Sequence, residues 1–338
     1  MGRVVTFGEI LLRLSTPRHE RISQARQFDI IYGGTECNVA VSLAQFGHDA
    51  TYVSAVPAND LGQAAINYVR QFGVDTGSIL RQGRRLGAYF LEIGAGGRAS
   101  KVVYDRADSS ASEIKPGMID WVRIFQGKDW FHFSGITCAI SASAASVVEE
   151  AAVAAKKAGL TVSCDFNYRA TLWSAEKGRQ VMGPIVRNVD VAIGSGRDPV
   201  LQGLIGMDGN IPAPKRSAEA YRPFIEAAVQ KLGFKKVALT VRDIYSSSRN
   251  TYAGVYYDGQ GVAMSRTHDI DIVDRVGGGD GFTAGIVHGI LAGFDRQHTV
   301  DFAAAAAALA HTIHGDFNLV SVDEVEAAAG SAGADVRR

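Results

Sequence analysis

The 338-residue chain has little cysteine and no excess of either charge. Its three cysteines, Cys37, Cys138 and Cys164, are an odd, widely spaced set without a C-x-x-C pair. That excludes a disulfide framework and a cysteine-based zinc site, and suits reduced thiols in the cytoplasm. Lysine and arginine number 35, as do aspartate and glutamate, and no basic block stands out. Binding along a nucleic-acid backbone needs a positive patch, so no nucleic-acid partner is expected. No apolar run approaches the roughly 18 residues that would read as a membrane span. No basic-then-apolar leader precedes the first strand pattern, and a cytoplasmic location without membrane attachment is expected. Two nucleotide-binding signatures are also missing. There is no Gly-x-x-x-x-Gly-Lys-Ser/Thr, which excludes a Walker-type phosphate loop. The first strand runs into Gly8-Glu9-Ile10-Leu11-Leu12, with no Gly-x-Gly-x-x-Gly to open a dinucleotide site.

What is present is a regular alternation. Short β-branched or apolar runs at 3–7, 50–56, 129–134, 161–165, 189–193 and 236–240 read as strands. Helical patterns lie between them at 36–46, 62–72, 141–158, 175–186 and 218–232. This spacing predicts right-handed βαβ units around a largely parallel sheet. A hairpin around Asp258-Gly259 and two helices, 281–291 and 299–314, complete the core. Two stretches break the pattern. Segments 10–15 and 28–32, and 86–93 and 101–106, read as antiparallel strands with no helix between partners. The second pair is joined by the turn Gly94-Ala95-Gly96-Gly97. Four such strands would form a small lid, able to exclude water from a site. The segment from 330 to the end is small, polar and expected to fray.

Glycine is plentiful, 38 residues, and one run matters most. In Asp274-Arg275-Val276-Gly277-Gly278-Gly279-Asp280-Gly281-Phe282, the glycines leave backbone N–H groups uncovered just before an apolar helix. Such a loop is an anion site. A phosphate binder alone would not place the carboxylate of Asp280 in its middle. Anion hole and embedded base together point to phosphoryl transfer onto a hydroxyl: the amides of Gly277, Gly278 and Gly279 hold the developing charge, and Asp280 takes the proton.

A second glycine turn, Gly33-Gly34, enters a helix with Asn38 one turn in, its amide able to bond a hydroxyl. Alone it is an ordinary helix start. With Asp274-x-x-Gly277-x-Gly279-Asp280 it forms a two-part signature, and the chain resembles the ribokinase (PfkB-type) carbohydrate kinases over nearly its whole length. Segments LGAYFL at 86–91, SKVVYDR at 100–106, DFNYRATLWS at 165–174 and GDFNLV at 315–320 bring it nearest to the 2-keto-3-deoxygluconate kinases.

The resemblance implies a ribokinase-like three-layer α/β/α fold with a largely parallel sheet and a β-strand lid. Residues 1–330 would form one kinase domain, with lid strands from about 10–32 and 86–106 and a disordered tail at 331–338. It implies ATP and Mg²⁺ as cosubstrate and metal, leaves open a monovalent cation, and suggests a homodimer joined through the lids. The acceptor would be a six-carbon sugar acid. Gly33, Gly34, Asn38, Tyr89, Tyr104, Arg106, Arg169 and Asp316 are the substrate-side candidates, the two arginines matching a carboxylate. Asn167, Ser195, Thr240, Arg242, Ser247 and Asn318 are the nucleotide-side candidates. Without the resemblance, Tyr89 and Tyr104 read as strand face, Arg106 as an ion pair with Asp105 or Asp108, and Arg169 as a helix cap.

The chain departs from the family at Ser195-Gly196-Arg197-Asp198, where most relatives carry Asn-x-x-Glu. Asp198 is left as the candidate Mg²⁺ carboxylate. It departs again at Thr240-Val241-Arg242-Asp243, where a glycine turn is usual. The 2-keto-3-deoxygalactonate epimer, or another sugar of the family, stands beside the leading acceptor. A sensor that binds sugar and nucleotide without turnover is the non-enzyme alternative.

Overall fold

In the computed structural model, residues 1–207 and 217–330 are described; the tail expected at 331–338 lies outside them. The strands are β1 (Arg3–Phe7), β2 (Leu11–Ser15), β3 (Asp29–Gly33), β4 (Asp49–Val56), β5 (Ile79–Arg81), β6 (Gly87–Glu92) and β7 (Lys101–Asp105). They continue as β8 (Trp130–Ser134), β9 (Thr161–Asp165), β10 (Val191–Ser195), β11 (Lys236–Ile244), β12 (Arg249–Tyr257), β13 (Val262–Met264) and β14 (His268–Asp271). The helices are α1 (Thr35–Gln45), α2 (Asp60–Arg70), α3 (Trp121–Phe125), α4 (Gly135–Ile140), α5 (Ala142–Lys157) and α6 (Ala175–Ile185). After them come α7 (Pro199–Leu204), α8 (Arg222–Leu232), α9 (Gly278–Ala292), α10 (Arg296–Ala310) and α11 (Val322–Ala329).

The main sheet runs β13-β12-β11-β10-β9-β8-β1-β4-β5, with β14 also on β12. The strands from β5 to β11 are parallel, and β12 and β13 add an antiparallel edge. Alternate side chains of each strand enter opposite cores, as the period of two requires. Val4, Tyr52 and Ile193 join α1, α2, α9, α10 and α11 on one face. Val5, Val53 and Ala192 join α3, α5, α6, α7 and α8 on the other. The expected three layers are therefore present. Ala303 to Ala307 of α10 are fully buried, and this small surface lets α9 approach so closely that a Cβ on Gly285 would lie 2.5 Å from the Cα of Ala303.

The four lid strands form a separate sheet, β3-β2-β6-β7, with β2 and β6 parallel and the outer pairs antiparallel. The connection between β6 and β7 is longer than the tight turn expected at 94–97. Its tip docks on the main body, Gly96 accepting from the Ser247 amide at 3.0 Å and from its hydroxyl at 2.8 Å. Among the described residues no helix is long and apolar enough to cross a membrane.

Candidate active site

The carboxyl ends of β1, β9, β10 and β11 and the inner face of the lid enclose a cavity of about 770 Å³. Ligands of open α/β sheets bind at this end because loops and helix N-termini converge there.

The glycine run forms the floor. Gly277 has φ 85°, in the left-handed region that favours glycine, and a Cβ there would lie 2.1 Å from the Asp316 carbonyl oxygen. Its turn starts α9 at Gly278, three residues before the expected 281, so Asp280 stands in the first helical turn and not in a loop. The Gly281 amide closes the first intrahelical bond, on the Gly277 carbonyl at 2.8 Å. The amides of Gly278, Gly279 and Asp280 precede it and have no acceptor within the helix, so the positive end of α9 faces the cavity. A Cβ on Gly279 would meet nothing within 4 Å, which is space for a ligand. Gly278 instead turns its Cα toward His311 and does not line the cavity.

Asp280 is 7% exposed, and its Oδ2 accepts from the Asn38 amide at 2.6 Å. Burial pushes its pKa up to about 7; Asp316 and Glu36 add to the rise, and the Asn38 bond and Arg169 oppose it. A carboxylate poised there suits a general base near neutral pH. The sequence reading gives the Asn38 amide to a substrate hydroxyl. Asn38 does line the cavity, but its Oδ1 accepts from the Gly34 amide at 3.2 Å and its Nδ2 donates to Asp280, a placement that fixes that carboxylate. Gly34 has extended backbone and must be small for space: a Cβ would lie 2.0 Å from the Glu9 carbonyl oxygen. Gly33 likewise sits under Asp316, whose Oδ2 a Cβ would approach to 2.2 Å.

Among the substrate-side candidates, Asp316 is buried and its Oδ2 accepts from the Tyr89 hydroxyl at 3.0 Å. The ring of Tyr104, half-exposed at the rim, lies 5.7 Å from that of Tyr89. Arg106 forms neither the solvated pair with Asp105 nor an open carboxylate clamp. Its Nε and Nη2 donate to buried Glu9, which also accepts from Ser109, and Asp105 pairs with Arg85 instead. Arg169 lines the cavity and acts on Asp165, Asp198 and Asp280 through its charge.

Asp165 has no role in the sequence reading. Burial and the neighbouring Asp280 push it up to about 8. Its Oδ1 accepts from the amide of Asn167, a residue held at φ 38° and therefore strained, as residues at functional sites often are. Its place at the end of a buried strand entering the Asp165-Phe166-Asn167 turn was the available signal.

Of the nucleotide-side candidates, Ser195, Thr240, Arg242 and Ser247 line the cavity. Arg242 lies over the Tyr252 ring at 5.7 Å. Ser247 fastens the lid tip, as above. Asn167 lines the same cavity, Asn318 does not, and Asp198 reaches the cavity while already engaged with backbone donors. Asn318 is buried behind the cavity, donating to the Ala306 carbonyl at 3.2 Å. Asp198 caps α7: Oδ1 accepts from Val200 and Leu201 and Oδ2 from Tyr168, leaving no oxygen free of a backbone donor. No group of three His, Cys, Asp or Glu arranged for a metal occurs among the described residues.

Comparison with known proteins agrees with this geometry. The model of the pfkB family carbohydrate kinases matches residues 1–321. A protein of Haloferax volcanii named 2-dehydro-3-deoxygalactonokinase is 33% identical over 325 residues, covering 96% of each chain. The crystal structure of 2-dehydro-3-deoxygluconokinase from Thermotoga maritima superposes with a TM-score of 0.92 at 46% identity, covering 97% of this chain and 98% of that one. A putative ribokinase of E. coli, solved with ATP and Mg²⁺, shares the fold at TM-score 0.78 and 20% identity, covering 97% of this chain and 99% of that one. Helix terminus, buried carboxylate, lid and full-length matches converge: the chain belongs to the PfkB family of carbohydrate kinases, phosphotransferases that act on a sugar hydroxyl.

Proposed function

We propose that the chain transfers the γ-phosphoryl group of ATP to the 6-hydroxyl of 2-keto-3-deoxygluconate. The observation that carries this reading is the buried Asp280 carboxylate, held by Asn38 in the first turn of α9. There a hydroxyl can be deprotonated beside the amides that hold the phosphoryl charge. The substrate oxygen attacks the γ-phosphorus as its proton passes to Asp280. The new O–P bond forms as the bond to the β-phosphate bridging oxygen breaks, and ADP leaves with that electron pair. Arg169, facing the cavity, is assigned to the substrate carboxylate, with Tyr89 and Asp316 on the polar chain. The gluconate epimer is favoured because the 46% identical Thermotoga protein is named for it. The name of the Haloferax relative supports the galactonate epimer as the second reading.

Mg²⁺, when bound, neutralises phosphate charge. It keeps several waters and needs few protein ligands. The residues present fit such a loosely held ion: Asp198 is capped, and we assign Asp165, whose Oδ2 accepts no hydrogen bond among the described residues, to its hydrated shell. Phosphorus NMR of the product tests the transfer. Coupling to two protons on the esterified carbon is expected for O6, and coupling to a single proton would place the phosphate on a secondary hydroxyl.

The outer face of the lid supports the dimer. Leu14, Ile30, Phe90 and Val103 share it, and Ile30 and Val103 are more than half exposed. Lid-to-lid packing would cover this apolar strip. Sedimentation at micromolar concentration is expected to give a dimer that Ile30→Asp converts to monomer; a wild-type monomer would contradict this arrangement.

A further inference from the structure

Arg13 belongs to neither the glycine signature nor the expected substrate contacts, yet it is among the most completely buried side chains of the protein. It lies on lid strand β2, where Leu11, Arg13 and Ser15 point inward and Leu12 and Leu14 outward. A guanidinium on that inner face would be costly without partners. It has three. Nη1 donates to Asp316 Oδ1 at 2.7 Å, Nη2 to Asp274 Oδ2 at 2.5 Å, and Nε to Ser15 Oγ at 2.6 Å.

Each carboxylate has a second attachment. Asp316 takes the Tyr89 hydroxyl from β6. Asp274 Oδ1 accepts from the Val276 amide at 3.2 Å, and Oδ2 from the Gly315 amide at 3.1 Å. The guanidinium thus joins the lid, the entrance of the glycine loop and the loop that carries Asp316. The two carboxylates lie 261 and 303 residues from Arg13 in sequence.

We propose that Arg13 is a positioning residue for phosphoryl transfer, fixing the Asp316 carboxylate against the acceptor from the lid side. Its planar fork holds Asp316 and Asp274 at a set separation, which a single ammonium donor cannot reproduce. Asp274 anchors the fork, Tyr89 fixes the other oxygen of Asp316, and Gly33 leaves the space in which that carboxylate sits. The inference rests on the sugar-acid reading only in assigning Asp316 to the acceptor.

The test is steady-state kinetics on the full-length wild type, R13K, R13M, D316N and R13M/D316N, with thermal melting of each. The assay uses the keto-deoxy acid that the wild type turns over. Failure of the wild type to use such an acid refutes the substrate reading alone. With an active wild type, R13M is expected to raise the acceptor KM by about 10²-fold and R13K by about 10-fold, while the ATP KM stays within about 3-fold. In a background lacking the Asp316 charge, the Arg13 substitution should cost little more, because both act on one contact. If R13M does not fold, R13K carries the comparison, and R13M/D316N removes one of the stranded charges. A folded R13K with wild-type acceptor KM would overturn the proposal, as would losses that multiply in the double variant.

Discussion

Asp280→Asn is expected to lower turnover by about 10²–10⁴-fold, the range typical of losing a general base, and to leave binding of acceptor and ATP largely intact. The substitution is nearly isosteric, and the oxygen of the introduced amide can still accept from Asn38, so the α9 turn has no reason to shift. The same variant is expected to be more stable than wild type at neutral and higher pH. Burial has raised the Asp280 pKa to about 7, so the native state binds more protons than the unfolded chain between about pH 4 and 7. The stability from that protonation is complete below the unfolded pKa and is lost as pH rises through 7. Above that point the wild type holds a buried charge that the amide does not carry. Melting curves across pH 5–9 should show an advantage for Asp280→Asn that widens up to about pH 7 and then levels off. Loss of activity with a lower melting temperature throughout would make Asp280 a structural carboxylate instead.

Arg169→Ala is expected to raise the acceptor KM by about 10–10²-fold, the scale of a charge-assisted hydrogen bond, with far less effect on ATP. A second consequence follows from electrostatics. Arg169 lowers the pKa values of both Asp280 and Asp165, working against burial. Removing it leaves the base protonated to higher pH, so the acid limb of the kcat/KM profile should move upward. Activity lost at pH 7 should then be partly recovered at pH 8–9. Equal effects on both substrates, or an unmoved acid limb, would place Arg169 away from the reacting end. Arg106→Ala is a less clean test, because it also strands buried Glu9.

The largely parallel sheet and the lid were legible because strand runs alternate with helical ones and then cease to, a signal local to each segment; the strand order was not. Element bounds drifted where glycine was involved. Gly278 and Gly279 have poor helix propensity, yet the left-handed turn at Gly277 and packing against His311 start α9 there. The positions of Asp280, Asn38, Arg169 and Tyr89 around one cavity could be anticipated from the motifs. Their partners could not. Asn38 reaches across 242 residues to Asp280, and Arg106 across 97 to Glu9. Such pairings are set by tertiary approach and leave no periodic trace. Arg13 left one faint sign, a charge on the inward phase of an otherwise apolar strand. Asn318 and the capping bonds of Asp198 escape a sequence reading because position after a strand tells neither which way a side chain faces nor which backbone donors it meets.

The most direct measurement is ADP release from Mg²⁺-ATP with 2-keto-3-deoxygluconate, its galacto epimer, gluconate, fructose, ribose and adenosine as separate acceptors. Selective turnover of a keto-deoxy acid, the gluconate form foremost, is the predicted result. Release that is independent of acceptor, or selective for fructose, ribose or adenosine, would contradict the account.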